Sequence, residues 1–215
     1  FEGHSDDTNC CVVHDGLLLS GSDDYTIKVW STTLTSAGDG ACVATLAGHE
    51  ARVWSVVATD DHIYSCSADK TIAAWSLADA RRGVATLVAR LTAHTDVVYA
   101  VRIAFGSLFS SSADKTIKRY ELGTHRTILS WEAHAHSITC LAASEQLSLL
   151  ASGAEDGRIS LWAIDGENAT SAGSLYVRPS GPRSPSSNSA VYALAISTST
   201  GDVLFSGGAD YRVHM

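Results

Sequence analysis

The sequence has little basic charge and no long apolar run. Lysine and arginine together number 15 against 23 aspartates and glutamates, which gives a formal net charge of −8. Proteins that bind nucleic acid or anionic membranes usually carry the opposite sign, so we expect no direct nucleic-acid binding. No apolar run approaches the roughly 18 residues needed to cross a bilayer, so we expect no membrane association either.

Cysteine is also scarce, and its spacing fits neither a disulfide framework nor a metal site. The chain has five cysteines, an odd number, and no pair shows the C-x-x-C spacing. This usage is typical of reduced thiols inside a cell, which predicts a cytoplasmic or nuclear location. The sequence predicts no metal and no cofactor.

What the sequence does contain is enough apolar residues for a core and one motif repeated five times. Hydrophobic residues make up 45% of the 215 residues and charged residues 18%, which indicates a packed chain. In each repeat an apolar run leads to a serine and, four residues later, to an aspartate. The serines are Ser20, Ser65, Ser110, Ser152 and Ser206, and the aspartates are Asp24, Asp69, Asp114, Asp156 and Asp210. Both series are spaced by 45, 45, 42 and 54 residues, a regularity that chance does not explain.

Each repeat has the pattern of four short strands. In the second repeat VWSVVAT, HIYSCS, TIAAW and ATLVARL alternate or run apolar, turn residues separate them, and no stretch of the chain has a helical period. Four short strands in about 45 residues correspond to one propeller blade. We therefore predict a single repeat domain over residues 1–215. Its repeats fall at about 3–46, 48–92, 93–132, 133–177 and 187–215, with a proline-rich insert at 178–189.

These residues resemble the WD-repeat β-propeller family. Gly3-His4, Gly48-His49, Ala93-His94 and Ala133-His134 precede the first four repeats, and three of those repeats end in Trp30, Trp75 and Trp162. The resemblance implies an all-β fold, a β-propeller of four-stranded antiparallel blades. The sequence departs from the family pattern at several positions. Tyr120 replaces the third tryptophan, Ser187 stands at the fifth histidine position, and Ser31, Ser76, Glu121 and Ala163 replace the aspartate after the aromatic residue.

The two ends of the chain lead us to expect an incomplete arc of a seven-bladed propeller. Phe1-Glu2 has the pattern of an outer strand from a preceding blade. In the first four repeats the aromatic residue follows the aspartate by six positions, and six positions after Asp210 is one beyond Met215. Closed propellers leave no free sheet edge, so we expect the remaining blades of the same propeller to be partners of these five.

The resemblance implies one hydrogen-bonded network per blade. In the family the aspartate accepts from the histidine ring, the histidine bonds the serine hydroxyl, and the serine accepts from the tryptophan indole. Complete sets are His4/Ser20/Asp24/Trp30, His49/Ser65/Asp69/Trp75 and His134/Ser152/Asp156/Trp162, and partial sets are His94/Ser110/Asp114 and Ser206/Asp210. The same three residue types could form a hydrolase triad, but an active site needs one triad and a scaffold needs one network per blade. We therefore predict no catalytic residues and no enzyme activity.

The resemblance also places a set of side chains on the partner-binding rim, three and five residues after the histidine and one before the aspartate. These positions hold Asp7, Asn9, Asp23, Arg52, Trp54, Ala68, Val97, Tyr99, Ala113, Ser137, Thr139, Glu155, Ala190, Tyr192 and Ala209. Trp54, Tyr99 and Tyr192 are aromatic at one shared position. Such residues are common anchors at interfaces, and they are equally common in packing between neighbouring blades. The sequence leaves both interpretations open.

The rim carries Asp7, Asp23 and Glu155 against Arg52 alone. A domain that recognises phosphorylated peptides needs several arginines or lysines on its rim. An acidic rim with aromatic residues favours a basic or amphipathic peptide instead. The W-D-x-R signature of cullin-ligase substrate receptors is also missing after Trp30, Trp75 and Trp162.

We predict a non-catalytic protein–protein interaction scaffold that binds peptide segments on its rim. One alternative is a substrate-recruiting propeller of a larger enzyme, a ubiquitin ligase or a kinase, whose catalytic domain lies outside this sequence. Another is a propeller associated with RNA processing or chromatin, although the basic stripe that it needs is absent. The insert holds all three prolines, and Ser184 in Arg183-Ser184-Pro185 has the form of a proline-directed phosphorylation site.

Overall fold

The computed structural model describes residues 3–32, 41–177, 189–197 and 202–215. The chain forms two compact units, Phe1–Ile103 and Ala104–Met215. The predicted phosphorylation site Ser184 and all of the proline-rich insert except Ser189 lie outside the described residues. Among the described residues, no helix has the length and the apolar character needed to span a bilayer.

The first unit contains two antiparallel sheets of four strands. The first sheet has the order β1-β2-β3-β4, with β1 (Thr8–His14), β2 (Leu17–Ser22), β3 (Thr26–Ser31) and β4 (Cys42–Ala47). The second has the order β5-β6-β7-β8, with β5 (Val53–Ala58), β6 (His62–Ser67), β7 (Ile72–Ser76) and β8 (Leu87–Leu91). Strand β9 (Val98–Ala104) follows, and all of it except Ala104 belongs to this unit.

The second unit continues the same pattern. Strands β10 (Ser107–Ser112), β11 (Thr116–Glu121) and β12 (Thr127–Glu132) pair in sequence order. They are followed by a four-stranded sheet of β13 (Ile138–Ser144), β14 (Leu149–Ala154), β15 (Arg158–Asp165) and β16 (Asn168–Tyr176). The last sheet consists of β17 (Val191–Ser197), β18 (Val203–Gly208) and β19 (Val213–His214).

One short helix interrupts this all-β pattern, where the sequence predicted none. Helix α1 spans Leu77–Ala80 between β7 and β8. The Ser76 side chain accepts the Asp79 amide and caps its first turn, while Leu77 and Ala80 are buried. A single capped turn is too short to give a helical period, which is why the sequence pattern did not reveal it.

Adjacent sheets within each unit approach closely at a glycine of the second strand. A Cβ built on Gly21 would lie 2.6 Å from Val53 Cγ1, and one built on Gly153 would lie 2.8 Å from Val191 Cγ1. Both valines begin the first strand of the following sheet. Only glycine admits this contact, so the core of each unit is formed between successive sheets.

The repeated aspartate shapes the hairpin turn between the second and third strands. In all five repeats its Oδ1 accepts the backbone N–H two residues on, at 2.9–3.2 Å. The residue between them has a positive φ of 60–82° in every repeat. These residues are Tyr25, Lys70, Lys115, Gly157 and Tyr211. Because the left-handed conformation costs energy in all but glycine, the carboxylate bond helps to hold each turn.

Candidate interaction rim

In each of the first two repeats, hydrogen bonds connect all four predicted network residues. In the second repeat His49 Nδ1 lies 2.7 Å from Asp69 Oδ2, and His49 Nε2 lies 2.8 Å from Ser65 Oγ. The Trp75 indole donates to the same hydroxyl at 3.0 Å. The first repeat repeats this chain through His4, Ser20, Asp24 and Trp30, with all three distances at 2.8 Å.

The donors and acceptors of this chain can be assigned from their chemistry. An indole N–H only donates and a carboxylate only accepts, so the serine hydroxyl donates to Nε2 and the histidine carries its proton on Nδ1. Ser65 is 0% exposed, and its hydroxyl is bonded on both sides. A substrate has no access to this oxygen, which separates the arrangement from a hydrolase triad.

The network aspartates are stabilised in their charged form. Burial acts to raise the pKa of Asp24, but hydrogen bonds from Thr26, His4 and Ser5 outweigh it and hold that pKa well below its usual range. The same balance lowers the pKa of Asp69, where burial is outweighed by His49 and Thr71. These carboxylates are therefore ionised acceptors at neutral pH.

The fourth repeat departs from the complete set that the sequence predicted. His134 Nε2 lies 2.8 Å from Ser152 Oγ, and Trp162 donates to that oxygen at 2.9 Å. His134 Nδ1 is buried and has no partner among the described residues, so the predicted bond to Asp156 is wrong. Arg158 replaces the threonine whose hydroxyl binds Oδ1 in the first two repeats, so one of the bonds that orient the carboxylate is missing. Burial lowers the pKa of His134 to about 4.

The third and fifth repeats hold the two sets that the sequence gave as partial. His94 is buried in the first unit, while Ser110, Asp114 and Tyr120 belong to the second. In the fifth repeat Ser206 is buried, and Asp210 Oδ2 lies 2.6 Å from Nε2 of His214. Sequence reasoning missed His214 because it sought the histidine upstream of the repeat, whereas this one follows the aspartate by four residues.

The predicted rim positions are brought together by one recurring backbone hydrogen bond. In each case the residue before the aspartate donates its N–H to the carbonyl three residues after the histidine position, at 2.8–3.0 Å. The pairs are Asp23 to Asp7, Ala68 to Arg52, Glu155 to Ser137 and Ala209 to Ala190. Val97 lies in the first unit and Ala113 in the second.

A β-bulge sets the direction of the side chain five residues after the histidine position. The register of the first strand skips this residue in four repeats, between Thr8/Cys10, Val53/Ser55, Ile138/Cys140 and Val191/Ala193. The skipped residues are Asn9, Trp54, Thr139 and Tyr192. A bulge changes the direction of its side chain, so these four side chains do not follow the alternation between the two faces of the sheet.

Most of these re-aimed side chains contact the neighbouring strands. Asn9 Nδ2 donates to Asp23 Oδ1 at 2.6 Å and to the Val53 carbonyl at 3.1 Å. Thr139 Oγ1 likewise donates to the Val191 carbonyl and, at 3.1 Å, to that of Gly153. The Trp54 and Tyr99 rings lie 5.7 Å apart. For Trp54 and Tyr99 this ring contact supports packing between blades, one of the two interpretations left open.

Tyr192 differs from the other aromatic rim residues because it is 56% exposed. It lines a cavity of about 380 Å³ together with His136, Glu155, Asp156 and Ala190. Three of these five residues were predicted for the rim. His136 and Asp156 were not, because the former has no counterpart in the repeat pattern and the latter was assigned to the network.

The comparisons with known proteins agree with this architecture. The family model for the WD domain, G-beta repeat, matches residues 1–31, 40–76, 85–121 and 125–163. The chain therefore belongs to the WD-repeat family, which confirms the resemblance read from the sequence.

Curated relatives match about a quarter of the chain. F-box/WD repeat-containing protein 7 of Drosophila melanogaster is 45% identical over 56 residues, 26% of this chain and 4% of that protein. F-box/WD repeat-containing protein sel-10 of Caenorhabditis elegans is 39% identical over 26% of this chain and 9% of its own length. Nuclear distribution protein PAC1 of Candida tropicalis is 42% identical over 23% of this chain and 11% of its own length. The chain thus matches only a small part of each relative.

Solved structures match over nearly the whole chain. The computationally designed Ika8 protein has a TM-score of 0.77 at 26% identity, covering 99% of this chain and 58% of that one. The WD40 β-propeller domain of Doa1 has a TM-score of 0.78 at 23% identity, and the match covers 99% of this chain and 64% of that one. The fold is an all-β propeller of four-stranded antiparallel blades, as expected from the repeats.

Proposed function

We propose that this chain is a non-catalytic interaction scaffold that binds basic or amphipathic peptide segments on its rim. The observation that carries the proposal is the recurring backbone bond that brings the rim positions of each blade together. Among the rim residues, Asp7, Glu155 and Tyr192 are exposed at the surface. Carboxylates beside an aromatic ring attract cationic and amphipathic segments.

Several observations support a binding role over a catalytic one. The Ser65 hydroxyl, the candidate nucleophile of the second repeat, is fully buried and bonded on both sides. None of the five cysteines forms a disulfide, which supports a reducing, intracellular location. Proteins of this family generally act by holding other proteins, so we assign the chain protein partners.

A substrate-recruiting role within a larger enzyme is the second candidate, and the names of two relatives favour it. Both are F-box/WD repeat-containing proteins. We also propose that the five blades belong to a longer propeller, of seven blades. The chain covers only 58% of the Ika8 chain and 64% of the Doa1 propeller chain, although each matches nearly all of it.

The charge of the rim provides the test. In the full-length protein, Asp23→Lys combined with Glu155→Lys should abolish partners recovered by proximity labelling and affinity capture, and binding by the native rim should weaken as salt rises. Asp60→Lys combined with Glu167→Lys makes the same charge change at exposed positions away from the rim. If both double variants keep all partners of the native protein, the rim is not the binding surface and the proposal is wrong.

A further inference from the structure

Two blade junctions of this chain share one backbone framework. At the first junction Asn9 donates to the Val53 carbonyl, and at the second Thr139 donates to the Val191 carbonyl. Both valines precede a bulge residue in the first strand of the next blade. The two junctions can therefore be compared position by position.

At the first junction an arginine of the chain itself occupies the rim. Arg52 Nη1 lies 3.4 Å from Asp23 Oδ2, and its guanidinium lies 5.6 Å from the centre of the Trp54 ring. Asp23 belongs to the preceding blade, whereas Arg52 and Trp54 lie at the start of strand β5. The guanidinium is thus held between a carboxylate and an aromatic face.

At the second junction the carboxylate and the aromatic residue are kept and the arginine is missing. Glu155 takes the position of Asp23, Tyr192 that of Trp54, and Ala190 that of Arg52. A cavity of about 380 Å³ lies among these three residues. Ala190 is only 2% exposed, so it forms part of the cavity wall without filling it.

A second carboxylate is also available at this junction. Asp156 lines the cavity and, unlike Asp24 and Asp69, makes no bond to its histidine. Among the described residues, its Oδ1 accepts only the Arg158 backbone N–H, at 3.0 Å. Across residues 3–32, 41–177, 189–197 and 202–215, no lysine or arginine pairs with Glu155 or Asp156 within 4.0 Å.

The backbone beside the cavity is closely packed. Ser189 Oγ donates to the Asp156 carbonyl at 3.1 Å. A Cβ built on Gly157 would lie 2.9 Å from the Ser189 carbonyl oxygen, so the two segments are in close contact. A site built on such contacts exists before the ligand arrives and loses little entropy on binding.

We propose that this cavity binds the guanidinium of an arginine side chain supplied by a partner peptide, at the place that Arg52 occupies between the first two blades. The inference rests on the proposed peptide-binding function and names the side chain that the rim selects. Glu155 and Asp156 accept hydrogen bonds from the guanidinium, and the Tyr192 ring packs on its face. Arginine suits the site better than lysine, because its planar group can donate to both carboxylates while it stacks on a ring.

The direct test uses three peptides and the full-length protein. Acetyl-Gly-Arg-Gly-amide, its lysine counterpart and its citrulline counterpart are titrated at pH 7.5, with saturation-transfer NMR observed on the peptide. Citrulline keeps the shape of arginine and lacks its charge. We expect the arginine peptide to bind at least 10-fold more tightly than the citrulline peptide and several-fold more tightly than the lysine peptide. Equal affinities for all three would overturn the proposal.

Variants then assign the binding to this cavity. Glu155→Gln should weaken binding of the arginine peptide about 10-fold, and Tyr192→Leu should weaken it several-fold. Glu167 is an exposed glutamate in the β15–β16 turn, and Glu167→Gln should leave the affinity unchanged. Ala190→Arg should block the cavity with an internal guanidinium. Arg52→Ala should open a second site of the same kind at the first junction.

These outcomes are independent of those for the proposed function. If arginine binding is unaffected by Glu155→Gln and Tyr192→Leu, the assignment of the cavity is wrong. Should the charge-reversed rim nevertheless lose its partners, the scaffold proposal stands without the arginine pocket. Circular dichroism verifies the fold of each variant, and Glu155→Gln decides the question if Ala190→Arg does not fold.

Discussion

His49 and Asp69 are joined by a hydrogen bond of 2.7 Å between Nδ1 and Oδ2. The bond links the loop that enters the second blade to the turn between its second and third strands. Asp69 also accepts the Glu50 backbone N–H on the same oxygen at 3.1 Å. One carboxylate therefore joins two segments of the blade that lie 20 residues apart in sequence.

Replacement of this carboxylate should destabilise the fold. Asp69→Ala leaves the His49 ring and the turn amides without their acceptor, and we expect a loss of roughly 2–4 kcal/mol in the free energy of unfolding. Urea denaturation of the full-length protein measures it. Asp60→Ala is the matched control, because that side chain is 99% exposed and should change stability by less than about 0.5 kcal/mol. A wild-type midpoint for Asp69→Ala would show that the bond contributes nothing.

The isolated histidine of the fourth repeat predicts a loss of stability in mild acid. Burial lowers the pKa of His134 to about 4, below the value of about 6.5 expected in the unfolded chain. Between those values the unfolded chain binds a proton that the folded chain does not, so stability is full above pH 6.5 and falls as the pH drops toward 4. The difference amounts to about 3 kcal/mol for the single group.

The variant Arg158→Thr isolates this effect. Threonine restores the hydroxyl that binds the aspartate Oδ1 in the first two blades, which should turn Asp156 toward His134 and raise the pKa of the ring. The slope of the unfolding free energy between pH 6.5 and 4.5 should then be smaller than in the native protein. Asp24 and Asp69, whose pKa values are lowered, affect stability in a lower pH range, because their stabilisation is lost only below about pH 4. An unchanged slope would contradict the assignment to His134.

Gly21, Gly153 and Gly207 hold equivalent positions in the second strands of their sheets and allow a test of packing between blades. A Cβ on Gly153 would lie 2.7 Å from Cys140 Sγ and 2.8 Å from Val191 Cγ1, so Gly153→Ala should cost about 1–3 kcal/mol. Gly207 holds the same position in β18, and its nearest described contact is 3.9 Å away. In the isolated chain Gly207→Ala should therefore change the melting temperature little.

The same glycine tests the longer propeller. If a further blade packs on β18, Gly207 in the full-length protein takes on the close contact seen at Gly153, and its substitution should cost as much there. Thermal unfolding of both lengths of protein gives the comparison. Equal tolerance of Gly207→Ala in both would argue against a following blade.

The sequence predicted the repeated elements well and the individual side chains less well. Strands, turns and the networks of His4 and His49 follow from a spacing that every repeat shares. The missing bond between His134 and Asp156 depends on a single threonine replaced by Arg158, and the cavity depends on one alanine where another blade has arginine. Such features are differences between repeats, and a consensus pattern averages them out.

The aromatic rim residues should separate into a structural pair and a binding residue. Trp54 and Tyr99 are half-buried with ring centres 5.7 Å apart, so a double-mutant cycle to alanine should give a coupling of about 0.5–1.5 kcal/mol in the free energy of unfolding. Tyr192, which is exposed beside the cavity, should change stability by less than about 0.5 kcal/mol on substitution and still weaken partner capture. If Tyr192→Ala keeps every partner while Trp54→Ala loses them without unfolding, the two assignments must be exchanged.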